Sequence, residues 1–206
     1  MRISDDRYRR DQTAFASALR FIGYGVRTAT IHRWTGITPS RIRSLYKTYA
    51  RDQGIKRPRG HPPTVADYLV SRPQQRQEAV AWAFICQRMH VLPQKKVRSP
   101  EKTLPGVGRA ELLLNAFEMF KCDFPIAALT LDQAVLLLMA FARREELRLG
   151  RCRSCGGITL IDHSQHTQIT CVFCLAGIEE TKPPLHPPDL CGPAYELQRK
   201  SADSCC

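Results

Sequence analysis

Four cysteines, Cys152, Cys155, Cys171 and Cys174, form two CxxC pairs with fifteen residues between them. Each CxxC bends as a short knuckle whose backbone amides can point at the sulfurs, so two knuckles can bring four thiolates onto one ion. This spacing predicts one Zn2+ per chain. With every coordination position filled by sulfur, no place is left for an activated water, and the expected role of the metal is structural. The sequence also lacks an HExxH or HxE pattern and any obvious pairing of nucleophile with base, so catalytic residues are none and the chain is read as a non-enzyme. Iron in a rubredoxin-like set would use the same ligands. Paired disulfides are the other reading, but nine cysteines in all, an odd number, and an N-terminus, MRISDDRYRR, without an apolar core suit a reducing compartment better. A redox CxxC would stand alone beside a strand-helix-strand pattern. His163 and His166 fall inside the cysteine hairpin and are read as loop residues, while Cys86 and Cys122 are read as small core residues.

The elements that must position these groups are mostly helical. Residues 8–23 form an amphipathic pattern with Phe15, Ala18, Leu19 and Ile22 on one face, broken at Gly23 and Gly25. A short helix fits Val26 to Trp34. The stretch TGITP then offers Gly36 for a left-handed turn, Thr38 as a cap and Pro39 as the first residue of a third helix. In that helix Ile42, Leu45, Tyr46 and Tyr49 share the face expected to be buried, with Ser40, Arg43, Ser44, Lys47 and Arg51 opposite. Helix, glycine-containing turn, and helix with an apolar back and a cationic front is the outline of a helix-turn-helix, with His32 an awkwardly bulky residue at the expected helix contact.

Residues 51–63 combine four cations, three prolines and two glycines and read as a linker. From Ala66 to Leu149 the pattern is helical. Ala79–Cys86 and Ala134–Ala142 are apolar all round, the latter after a Thr130/Gln133 capping box, and Leu112, Leu113, Ala116, Phe117 and Phe120 are expected on the dry side of a helix whose wet side carries Glu111, Asn115 and Glu118. Helices with no polar side need surrounding, either by a bundle core or by a partner subunit. The predicted fold class is therefore mainly α. Residues 1–63 form a basic helix-turn-helix-like three-helix unit and linker, 64–150 a central helical bundle and partner interface, 151–176 a four-cysteine zinc-ribbon-like module, and 177–206 a disordered, mobile Pro-rich tail.

Charge separates along the same boundaries. The chain of 206 residues carries +12, yet residues 1–60 hold fourteen Lys or Arg against four acids, a net of +10. Residues 61–150 give +3 and 151–206 give −1. A front-loaded positive charge suits a polyanion, because neutralising phosphates releases condensed counterions; a surface charged merely for solubility is the alternative. Helical phase and charge nominate Arg27, Arg33, Arg41, Arg43, Lys47 and Arg51 as DNA-binding residues. The GxG at Gly106 and Gly108 has Glu111 where a dinucleotide loop needs its third glycine, so no nucleotide site is read there. The longest apolar runs are eight and nine residues, far short of the roughly twenty of a spanning helix, so no membrane association and a cytoplasmic location are expected.

The chain resembles the FlhC family, the zinc-containing subunit of the bacterial flagellar master transcriptional activator. The residues that carry the likeness are Gly25 and Arg27, then Ser40, Arg41, Leu45, Tyr46 and Lys47 in an RxxxLYK stretch, the linker Pro58 to Pro63, the apolar helix around Trp82, and CRSCGG with CVFC; the likeness covers about residues 8–176. It implies an activator that works with FlhD in a hexamer of four FlhD and two FlhC, binds and bends promoter DNA of flagellar and related motility genes, and helps recruit RNA polymerase. It also implies zinc on Cys152, Cys155, Cys171 and Cys174. The chain departs from the family after the last cysteine pair, where Glu179, Glu180 and prolines stand in place of a basic stretch, so no DNA contact is assigned to the tail. A zinc-ribbon protein that binds RNA or the ribosome would share charge and metal; it would show aromatic side chains on an open platform, whereas most aromatics here fall on faces expected to be buried.

Overall fold

A computed structural model describes residues 5–50, 54–60, 63–145, 147–162 and 169–175. Arg51, His163, His166 and the segment 177–206 lie outside these. The chain is mainly helical, with the four cysteines gathered at its C-terminal end. In chain order the elements are α1 (Asp5–Gly23), α2 (Thr28–Thr35), α3 (Pro39–Leu45) running into a π turn (Tyr46–Ala50), a 3-10 turn (Asp67–Val70), α4 (Pro73–Arg88), α5 (Pro100–Thr103), α6 (Val107–Asp123), α7 (Leu131–Arg143), β1 (Leu147–Arg151), β2 (Ile158–Asp162) and α8 (Val172–Leu175).

Local chemistry explains most boundaries. Thr130 caps α7 by accepting the Gln133 amide while Gln133 reaches back to the Thr130 N–H, the reciprocal box expected from sequence. Gly36 ends α2 in the left-handed region (φ 74°) and Pro39 opens α3. Thr38 holds the N-cap position, but its hydroxyl meets Ser40 and makes no capping bond. The second helix begins at Thr28 rather than Val26; Val26 is buried in the preceding loop, where its carbonyl accepts the Tyr46 hydroxyl. Burial, and then the charge of Asp132, pushes the Tyr46 phenol well above its ordinary range.

One core runs through the described residues. Trp82 sits at its centre, edge-on to Phe117 and Phe120, with its indole N–H donated to the Ala134 carbonyl at 2.9 Å. Glu78, also buried, accepts the amides of Ala128 and Leu129 and so fixes the loop that leads into α7. Of Ala134–Ala142, every residue but the half-buried Leu136 is buried, which resolves the surrounded-helix expectation within the chain itself. Several expectations of burial fail. The π turn adds a residue to the hydrogen-bonded loop, so Ala50 rotates into the core and Tyr49 is left 48% exposed. On α1 the fully buried side is set by Ala18, Phe21 and Ile22, with Phe15 and Leu19 at its edge, because α1 packs on both α2 and α6. Leu112, expected inside, is exposed, and its place is taken by Leu114. Phe84 and Cys122 are likewise exposed rather than interior, whereas Cys86 is buried and its thiol is pushed up by that burial.

Helix does not extend to Leu149. After α7, Arg144 takes a left-handed conformation (φ 54°) and the chain enters β1, which pairs antiparallel with β2 in the register Leu147↔Asp162 to Arg151↔Ile158. Leu147 and Leu160 are buried in the same core as α4 and α7, so the hairpin is rooted in the helical body. No helix among the described residues is long and apolar enough to cross a membrane.

Candidate metal centre and nucleic-acid interface

The hairpin tip makes the first knuckle. Cys152 follows β1 directly; its amide donates to the Gly157 carbonyl at 2.8 Å, and the Gly156 amide returns to the Cys152 carbonyl at 3.0 Å. Gly156 has φ 71°, a conformation that side chains rarely take, so the tight return depends on it. The second knuckle is Cys171 and the single turn of α8 that carries Cys174. Arg153 donates its amide to the Ile169 carbonyl at 2.8 Å and thereby ties the two knuckles together.

All four sulfurs lie within 4.8 Å of one another, with Cys155 and Cys171 at 3.6 Å. Metal–sulfur bonds of about 2.3 Å in a tetrahedron put sulfurs about 3.8 Å apart, so the four are close enough to coordinate one ion. Backbone amides point at the sulfurs as a thiolate cluster needs, Cys171 N–H at Cys152 Sγ (3.2 Å) and Cys174 N–H at Cys171 Sγ (3.4 Å). Backbone hydrogen bonds from Cys155 and Cys171 hold Cys152 down at about 6, while the neighbouring sulfurs of Cys171 and Cys155 push Cys174 up to about 12. No described cysteine is in a disulfide. Cys152 and Cys171 are buried, and the cluster thus faces the body on one side and solvent at Cys155 on the other.

The cationic candidates separate into two groups. Arg27 is turned inward: its Nη1 and its backbone N–H both donate to Asp132 Oδ2 at 3.1 Å, while Thr30 Oγ1 donates to Oδ1 at 2.7 Å. Asp132 is buried in the first turn of α7, so Arg27 fastens α2 to α7 and its charge is largely neutralised there. Sequence reading had no means of pairing residues 105 positions apart; the one available signal was an acid placed just inside a capping box. Arg33, Arg41, Arg43 and Lys47 are exposed. Arg41 lies over the Phe15 ring, 5.5 Å from its centre, and the other three make no ion pair with a described residue. Arg51 is outside the described residues.

The turn before this cationic face is stiffly built. His32 points outward rather than into the helix contact, and its Nδ1 donates to the Ile37 carbonyl at 2.8 Å. Thr35 Oγ1 donates to the Ile31 carbonyl and accepts the Ile37 amide. Trp34, Ile42 and Leu45 fill the space behind. α3 and the π turn after it therefore stand with Ser40, Arg43, Ser44 and Lys47 in solvent and no acidic residue of their own. No protein-family model and no curated protein matches this chain.

Proposed function

We propose that the chain is the DNA-contacting, zinc-stapled subunit of a heteromeric transcription activator, working as the FlhC resemblance implies, with FlhD in a complex of four FlhD and two FlhC subunits, at flagellar promoters and with RNA polymerase. One observation carries this reading: the solvent face of α3 and the π turn after it, where Ser40, Arg43, Ser44 and Lys47 follow one another, braced by a fixed turn and balanced by no described acid. In a major groove, Arg can meet guanine edges while Lys meets phosphate. The zinc ion, held by Cys152, Cys155, Cys171 and Cys174, supplies structure. An apolar groove of about 440 Å3 between α4, β2 and α8, lined by Val80, Phe84, Phe124 and Phe173, supports a protein partner, as does Ile126 at 90% exposure.

With about five phosphate contacts, log affinity for duplex promoter DNA should fall against log salt with a slope of about −4.5. Replacing Arg43 and Lys47 together by Ala should make that slope shallower by about 2. Parental binding by that double variant would overturn the proposal. Single-stranded RNA is the second reading, favoured by Tyr8 and Tyr49, which are exposed on the cationic N-terminal unit. Equal competition by single-stranded RNA and duplex would select it.

A further inference from the structure

Charge counted along the sequence hides a second cationic surface. Arg88 at the end of α4, His90 just beyond it, Arg144 just beyond α7 and Arg148 on β1 line one cavity of about 1120 Å3. No carboxylate is among the described residues lining it. Arg144 donates to the carbonyls of Gln94 (2.6 Å) and Pro93 (3.3 Å), contacts that fix its guanidinium without cancelling its charge. Glu145, its neighbour in sequence, is engaged by Lys96 at 3.1 Å. Arg88 and Arg148 are exposed and make no ion pair with a described residue. The floor, with Phe141 and Leu149, is apolar, and a low-dielectric wall behind converging cations focuses their field outward.

We propose that this cleft binds the phosphodiester backbone of the same duplex DNA that α3 engages, as a second contact without base reading. The inference rests on the DNA-binding function above. α7 runs from α2, which braces α3, to the cleft: its first turn is pinned to α2 through Asp132, and its thirteen residues rise about 1.5 Å each, so Arg144 stands roughly 20 Å from Asp132 at the other end. Phosphates recur every ~3.4 Å along a strand, so a duplex running or bending beside α7 passes roughly six phosphates along its length before the cleft. Two cations with free heads and one held in place would add about two to three phosphate contacts and steer the curve of the duplex.

The test uses the full chain, zinc-loaded, with a fluorescent 40-base-pair duplex over a range of salt. Arg88→Ala combined with Arg148→Ala should make the slope on the 40-base-pair duplex shallower by about 2 and weaken binding at least tenfold at ~0.1 M salt. Arg88→Lys with Arg148→Lys should restore the slope, and an unchanged thermal midpoint would exclude misfolding as the cause. An unchanged slope, beside a loss in the Arg43→Ala, Lys47→Ala variant, overturns the cleft and leaves the function standing. Loss of binding to an acidic protein partner with no change on DNA likewise overturns it, by assigning the cleft to protein. Losses that Lys does not restore overturn it as well. If both variants bind DNA like the parent, the DNA-binding function falls too.

Discussion

Asp132 is the residue on which the orientation of the DNA-facing unit depends. Its two oxygens take three donors from α2 and the loop before it, two from Arg27 and one from Thr30, so the position of α2 relative to the core is set by one buried carboxylate. Asp132→Ala would leave a part-buried guanidinium, a hydroxyl and an amide without their acceptor. Removing one partner of such a pair should cost about 3 kcal/mol, read as a lower urea midpoint, and Asp132→Asn should cost less because Thr30 keeps an acceptor. The same carboxylate explains why Arg27, chosen from charge and helical phase, is a fastener. Charge and phase are local properties, and neither reveals which residue from a distant helix arrives opposite. Arg43 and Lys47 were legible because nothing arrives opposite them.

At the scale of elements, legibility followed the range of the interactions. The Thr130–Gln133 box, the turn at Gly36, the proline start of α3 and both knuckles are written within a few residues and stand in the structure as read. The π turn, the outward Leu112 and Cys122, and the start of β1 at Leu147 carry no comparable signal within a few residues. The hairpin combines both kinds of control. Its tip is organised around sulfur, through N–H···S bonds that need a negative cluster to aim at, whereas its root is organised by Leu147 and Leu160 in the core. Chelating the metal, or Cys155→Ser, should therefore raise amide hydrogen exchange at 152–157 and 171–174 while Leu147–Leu149 stays protected, as measured by exchange mass spectrometry. Uniform loss of protection through β1 would show that the root depends on the ion as well.

For the molecule as a whole, α7 is the common strut. It meets α2 at its first turn and α4 along its length, carries the cationic cleft at its last turn and passes directly into β1. The apolar groove beside α8 and the exposed Phe84, Phe124, Ile126 and Phe173 lie on the hairpin side of this body. None of this spatial order could be read from charge totals by segment, which assign nearly all the excess to the front and average the cleft cations against the acids of the whole segment. The outcome is one core that joins α2 and α3 to the hairpin through buried side chains.

That coupling bears on where the chain can be cut. Since Leu147 and Leu160 are shared with the helical core, the metal module is not a detachable cassette: a fragment ending at Arg144 would open an apolar wound against α4 and α7. Each of those leucines is worth about 1.5–3 kcal/mol when buried, against a total of about 5–15 kcal/mol for a typical domain. Such a fragment should melt several degrees lower or aggregate, and calorimetry of the parent should record one cooperative endotherm rather than two.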